Sequence, residues 1–312
     1  MKKLMVVFTM VVMMAVAFIA KAGFDTYSGH KVTELMTAQQ FYSVTTGAIN
    51  YSTDYDMKEY TGTCQFMLDS ALGTQASTGM AVKIQSSDLA VGASYTTVGA
   101  TDNILLSGAT TNAKLAASFT QVGVRQIKSV QLRLKQIGTV ADAKYLTLAI
   151  YADSTGPTGS ALATAGTVLA KNVSKDGYAP ILFTFATPYA VANNTKYWLV
   201  LTADYDASGT NAIEWRTNTL VSGGNFAKYD ESWAAVATKS AEFAVNQYNF
   251  VDVTGGAFAT VSDTANNGVQ TLGINKDNIG QFIRSKVTLT GNYPTFIASL
   301  VVDGQLKTMV GP

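Results

Sequence analysis

Val130-Gln131-Leu132-Arg133-Leu134-Lys135 alternates strictly between apolar and polar side chains. Successive side chains of an extended chain point to opposite faces, so this stretch reads as a strand with one face on a core and the other in water. Tyr145–Tyr151 and Tyr197–Leu201 are more continuously apolar, and the second reads as a central strand. Working outward, Ala116–Val122, Ile127–Ile137, Tyr145–Ala152, Leu162–Lys171, Ile181–Phe185, Tyr197–Ala203, Ala212–Thr217 and Asn225–Tyr229 form a run of strand patterns. Turn signals such as Gly156-Pro157-Thr158-Gly159 punctuate them. This regular succession predicts an antiparallel sandwich of jelly-roll type over residues 100–245.

The composition agrees with an all-β chain. Of 312 residues only 14% are charged, while 26 are Gly. The 22 Lys and Arg nearly balance the 21 Asp and Glu, for a net charge of +1. That balance argues against a nucleic-acid binder and against an acidic tail. One His and one Cys exclude a His/Cys zinc cluster, an internal disulfide and a Ser-His-Asp or Cys-His centre deep in the fold. No phosphate-binding or dinucleotide fingerprint occurs, and no enzyme is expected.

On either side of 100–245 the texture changes. Phe41–Ile49, Tyr60–Leu68 and Met80–Gln85 are strand candidates before it. Phe250–Val253, Ala257–Val261, Val269–Ile274, Phe282–Leu289 and Phe296–Val302 follow it, with Gly255-Gly256 as a turn and one helical turn at Asn275–Ile279. Three strands alone bury too little surface for a core, whereas the two flanks together make a comfortable sandwich. The expectation is therefore a split host sandwich, 41–99 plus 246–312, carrying the 100–245 sandwich in a loop. Two or three domains in a row is the alternative. Residues 23–40 read as an irregular or partly helical lead-in.

Met1-Lys2-Lys3, the apolar run Leu4–Ala20 and the Ala20-Lys21-Ala22 site have the three-part layout of a secretory signal, with cleavage near Ala22. An uncleaved anchor through residues 4–20 is the second reading, at the lower edge of a span of about 20 residues. A buried helix of an assembled particle is the third.

The flanks carry a resemblance. Ala81–Asp88, Phe250–Phe258, Val269–Ile274, Phe282–Gly291 and Pro294-Thr295-Phe296, in that order, resemble a small β-sandwich protein of tailed bacteriophages, a head-associated structural protein of the virion. In that family the first segment runs almost directly into the second, which matches an insertion here. In the insert, Lys128–Leu134, Ile150–Asp153, Gly156-Pro157 and Lys196–Leu201 resemble a jelly-roll module of secreted bacterial surface proteins and phage fibre proteins. The resemblance implies a non-enzymatic structural protein of the virion, capsid-associated or decorating, that displays the inserted sandwich. Its partners would be other virion or surface subunits, in a homo-oligomer. The alternative is an exported cell-surface module or adhesin that recognises glycan through the insert.

Candidate site residues follow from chemistry. Trp198, Trp215 and Trp233 all lie in the insert, near Tyr178, Tyr189, Tyr205 and Tyr229. Aromatic faces stack on sugar rings, and core packing is the competing role. Trp198 is expected in the core, and Trp215, Trp233 and Tyr229 are the candidate glycan residues. Asp204, Asp206 and Asp153 are candidate ligands of a structural calcium ion, with Asp54 and Asp56 a similar pair, although no full calcium-loop pattern is present. Glu214 and Glu231 lack the spacing logic of a glycosidase pair. Cys64 is expected to be a buried small residue. Arg284 and Lys286 are expected as solvated charges, or as salt-bridge partners of a neighbouring subunit.

Overall fold

The computed structural model describes residues 30–42, 47–72, 79–96, 101–106, 108, 114–219, 224–262, 265–266, 268–291 and 295–306. The N-terminal signal or anchor, with its expected apolar helix, lies outside them. The described chain is all-β, and every strand pairing is antiparallel. Its only helical elements are two 3-10 turns, Ala170–Asn172 and Lys276–Asn278. The second is capped by Asn275, whose side-chain oxygen accepts from the Asp277 N–H at 2.9 Å. Two compact units emerge from the contacts, one running up to Asp88 and again from Phe250, the other comprising Leu89–Asn249.

In the first unit, one sheet has the order His30–Tyr42, Thr295–Leu306, Tyr60–Leu72, Gly268–Asn275. The facing sheet has the order Ile49–Tyr51, Phe282–Thr290, Gly79–Ser87, Val251–Ala257. Period-two patterning sends Phe66, Leu68, Val82, Ile84, Val287, Leu289, Phe296 and Leu300 between them, together with Met57, Tyr60 and Cys64. Three details depart from the sequence reading. From His30 onward the expected lead-in is a strand of 13 residues, with Leu35, Met36 and Phe41 in the core. Of the strand expected at 41–49, Phe41 and Tyr42 end that element and Ile49 opens the short Ile49–Tyr51, while 43–46 lie outside the described residues. Gly255-Gly256 is not a hairpin turn. It lies inside Val251–Ala257, where the register to Gly79–Ser87 shifts between Asp252 and Ala257 and Gly255 takes φ 74°. A glycine bulge of this kind kinks a strand without ending it.

In the second unit, one sheet runs Pro157–Thr164, Tyr145–Asp153, Thr195–Ala203, Lys114–Gln121, Phe226–Asp230, Ser232–Val236. The other is built on Arg125–Gly138, which pairs with Ala179–Val191 along one side and with Phe243–Tyr248 and Asn211–Thr219 along the other. Leu132, Leu134, Leu148, Leu199, Trp215 and Phe226 fill the space between the sheets. The predicted strand 162–171 is broken: Pro157–Thr164 ends, Val168–Leu169 pairs separately, and a 3-10 turn follows. Leu89–Tyr95 pairs with Phe243–Tyr248, so both strands belong to this unit, which runs from Leu89 to Asn249. Gly138 ends the long strand at φ 65°, and a β-carbon there would collide with the Thr210 carbonyl, so only glycine fits.

Candidate functional site

Register places an aromatic group on the outer face of one sheet of the second unit. Tyr151 lies beside Trp198, and Trp198 beside Ser118. One row along, Ala149, Val200, Ala116, Ala227 and Ala235 lie side by side. One row further stand Thr147, Thr202, Lys114, Tyr229 and Trp233. The alanines leave room above the sheet. Trp198, Val200, Ala116 and Ala227 form a small buried cluster, and Tyr151 and Trp233 pack against it while staying partly exposed. The expectation that Trp198 is core therefore holds for its burial, but on the opposite face from the main core.

Charged groups ring this cluster. The Trp198 indole N–H donates to Asp153, and Lys196 Nζ sits 4.9 Å from the Trp198 ring centre and 3.3 Å from the same carboxylate. Lys114 Nζ lies 4.5 Å from the centre of the Tyr229 ring. Tyr229 meets Trp233 edge to face, 5.2 Å between centroids at 68°. The two are cross-strand partners on a tight hairpin whose reversal puts Glu231 at φ 59°. Lys114 lies over the Tyr229 face and Lys196 over the Trp198 face, which leaves Tyr151 and Trp233 as the partly exposed rings beside these charges, an arrangement that suits a ligand with C–H faces and hydroxyl groups.

Trp215 does not belong to this group. Its strand alternates so that Ile213, Trp215 and Thr217 are buried, and Trp215 is 0% exposed. Its indole N–H donates to the Glu242 carbonyl at 2.8 Å, and its ring meets Phe226 edge to face at 5.7 Å. A ring with no open face cannot stack on a sugar, so the glycan assignment of Trp215 is corrected to a core role.

The calcium reading is corrected too. Asp153 and Tyr145 end the same strand, and Asp204 accepts from the Tyr145 N–H at 2.7 Å. At about 3.3 Å per residue the strand separates Asp153 from Asp204 by roughly 26 Å. The three carboxylates cannot share an ion. Among the described residues no group of three or more His, Cys, Asp or Glu converges as metal ligands. Asp204 and Asp206 border an open depression of about 350 Å³ with Lys144, Tyr205 and Asn211, where the lysine supplies the positive charge. Burial pushes the Tyr205 phenol up to about 12. Asp56 accepts from Gln281 at 3.2 Å and pairs with Lys58 at 3.7 Å.

Glu214 and Glu231 lie on different sheets. Glu214 accepts from the Tyr178 hydroxyl at 2.9 Å, and burial raises that phenol above its ordinary value, with Glu214 adding to the rise. Glu242, which the sequence reading passed over, is buried between Arg133 and Arg216 at 3.4 Å each.

In the first unit Cys64 is buried and free, and desolvation raises its thiol. Arg284 corrects the expectation of a solvated charge. It does point away from the core, as the alternation says, yet it is only 7% exposed. Its guanidinium lies 4.0 Å from the Tyr51 ring centre and 4.1 Å from that of Phe250, and its Nε–H donates to Gln85 at 2.9 Å. Gln85 in turn donates to Asp252, which also takes Lys83 at 2.8 Å. No local pattern signals that clamp, because Tyr51, Gln85, Phe250 and Arg284 are far apart in sequence.

No family model and no curated protein matches the chain. Among solved structures, the VP2 subviral particle of infectious bursal disease virus aligns at 10% identity over 91% of this chain and 82% of that one, with a TM-score of 0.26. The CsCBM6-3 module of Clostridium stercorarium, solved in complex with cellobiose, aligns at 14% identity over 64% of this chain and 92% of that one, with a TM-score of 0.24. Scores this low carry no argument, and the architecture rests on the strand pairing itself.

Proposed function

We propose that the chain is a non-enzymatic structural protein of a virion, capsid-associated or decorating, whose first unit packs among repeated subunits and carries the second as a displayed insert. One observation supports this reading above the others. Gly79–Ser87 and Val251–Ala257 are paired neighbours, with Ser86 opposite Val251. The whole of Leu89–Asn249 thus takes the place of the connection between two adjacent strands, a position that adds a module without altering the host sandwich. The resemblance of the flanks to head-associated proteins supplies the setting. The test is sedimentation of the native protein combined with mass spectrometry of its N-terminus. Co-sedimentation with DNA-containing particles is expected. A small species beginning near Gly23, found in the medium or envelope, overturns the reading.

A second reading is favoured by the aromatic cluster. In it the chain is an exported surface module that holds glycan on Tyr151, Tyr229 and Trp233, with Lys114, Lys196 and Asp153 as hydrogen-bonding partners. Calorimetry against a set of neutral and acidic oligosaccharides tests it. Binding that is lost in Trp233→Ala with the fold intact supports this reading. The absence of heat for every sugar removes it.

A further inference from the structure

Sheet edges expose rows of unpaired N–H and C=O groups, and proteins guard them with charge, proline, bulges or brevity. Nearly every described edge here carries such a guard. His30–Tyr42 holds Lys31 and Glu34 and two register shifts, and Val251–Ala257 holds Asp252 and one shift. Pro157–Thr164 begins with proline, Ala179–Val191 contains Pro180 and a register shift, and Leu89–Tyr95 faces a register shift in its partner. Thr101–Leu106 has six residues, and the remaining edges have five or fewer.

Gly268–Asn275 differs. It pairs with Tyr60–Leu72 in unbroken register from Gly268 opposite Ser70 to Asn275 opposite Thr63. It closes one side of its sheet among the described residues. Its eight residues, Gly-Val-Gln-Thr-Leu-Gly-Ile-Asn, include no charge and no proline. Val269 is 65% exposed, and Thr271 and Gly273 are exposed on the same face.

We propose that this edge is a subunit interface: Gly268–Asn275 pairs antiparallel with the same strand of a second copy, about a twofold axis at Thr271, and joins two four-stranded sheets into one. The occupant is an extended strand, because a sheet edge presents its N–H and C=O groups at ladder spacing, and at this edge the Gln270 side chain donates to the Ala259 and Asn266 carbonyls. A second copy fits through the pattern of side chains. With Thr271 opposite Thr271, the exposed Val269 of each copy lies beside Gly273 of the other, where the Gln65 side chain of the paired strand comes within 3.3 Å of the place a β-carbon would take. Each apolar knob meets a position without a side chain, and the centre is a Thr–Thr pair, a favourable cross-strand combination. Gln270 then faces Leu272, and no like charges meet. Twofold pairing of one patch with itself is the commonest closed assembly. The inference rests on the reading of the chain as a multi-copy structural protein.

Three variants of the full chain test it. Thr271→Lys sets two ammonium groups opposite each other and is expected to weaken association about tenfold in sedimentation velocity. Its thermal transition should stay that of the parent, because position 271 is exposed. Thr271→Val keeps the strand neutral and is expected to associate at least as well as the parent. Thr271→Cys is expected to form a disulfide-linked dimer on copper-catalysed air oxidation, and Cys64, being buried, supplies no competing thiol. Parent-like association of Thr271→Lys, or failure of Thr271→Cys to cross-link, overturns the interface. Co-sedimentation with particles is scored separately. A cross-linked dimer outside particles upholds the edge and rejects the virion reading, and a particle-bound protein that does not cross-link does the reverse.

Discussion

The two units solve the same packing problem and treat their outer faces differently. Each encloses an apolar core between two antiparallel sheets. In Leu89–Asn249 the outer face holds a partly open aromatic group, with cations resting on Trp198 and Tyr229 at its margin. In the first unit the outer-face cation, Arg284, is shut between two rings and turned into a structural tie. The same ingredients, a cation and aromatic rings, leave ligand-accessible surface in one case and none in the other. What differs is what stands beside them: alanines next to Trp198, but Tyr51 and Phe250 on both sides of Arg284.

The contrast breaks most readily at the cores. All three tryptophans lie in the second unit, so intrinsic tryptophan fluorescence reports that unit alone, while circular dichroism sees both. Trp215→Ala is expected to cost about 3–5 kcal/mol and to lower the fluorescence-detected transition. Phe66→Ala is expected to cost about 3–5 kcal/mol in the other core and to move a transition seen by circular dichroism but not by fluorescence. If Phe66→Ala moves the fluorescence transition as far as the circular dichroism one, the units unfold as one and the comparison fails.

Next in size is the clamp. Arg284→Ala removes two ring contacts and the partner of Gln85, and is expected to cost about 2 kcal/mol in chemical denaturation. Arg284→Met, which keeps the bulk between the rings, should recover most of that loss. An equal loss in both variants would assign the effect to the charge rather than to packing.

The smallest expected effect is at Asp252. The Lys83 ammonium, and then the Gln85 amide, hold its carboxyl below the usual carboxylate range. Its contribution is present above the unfolded-state value near pH 4 and disappears as pH falls through the lower folded-state value. The group is largely exposed, so the contribution stays below about 1 kcal/mol. Asp252→Asn should flatten the pH dependence of the first unit's stability in acid and leave the fluorescence transition unmoved.

Strand identity was legible because a period of two is a local property. Val130–Lys135 and Phe282–Leu289 could be assigned from alternation, Tyr145–Tyr151 from a short apolar run before a turn signal, and Cys64 from its place in a strand pattern. Alternation also gave the correct side for Arg284 and the wrong exposure, since the rings that cover it come from residues 51 and 250. Trp215 and Trp233 show the same limit. Both sit among polar neighbours in the chain, yet one is sealed in the core and the other packs on the outer face. Gly255-Gly256 reads as a turn from composition and is a bulge, because a paired partner strand continues past it.

Composition and periodicity by themselves determined an all-β chain with antiparallel sandwiches, a near-neutral surface and no His/Cys zinc cluster or internal disulfide. They depend only on which residues are present and on the two-residue repeat of an extended backbone. Tertiary structure alone decided which outward side chains are covered, that Asp153 and Asp204 stand about 26 Å apart at opposite ends of neighbouring strands, and which strand closes each sheet. Those properties are set by strands brought together from distant parts of the chain, and no local window of sequence contains them.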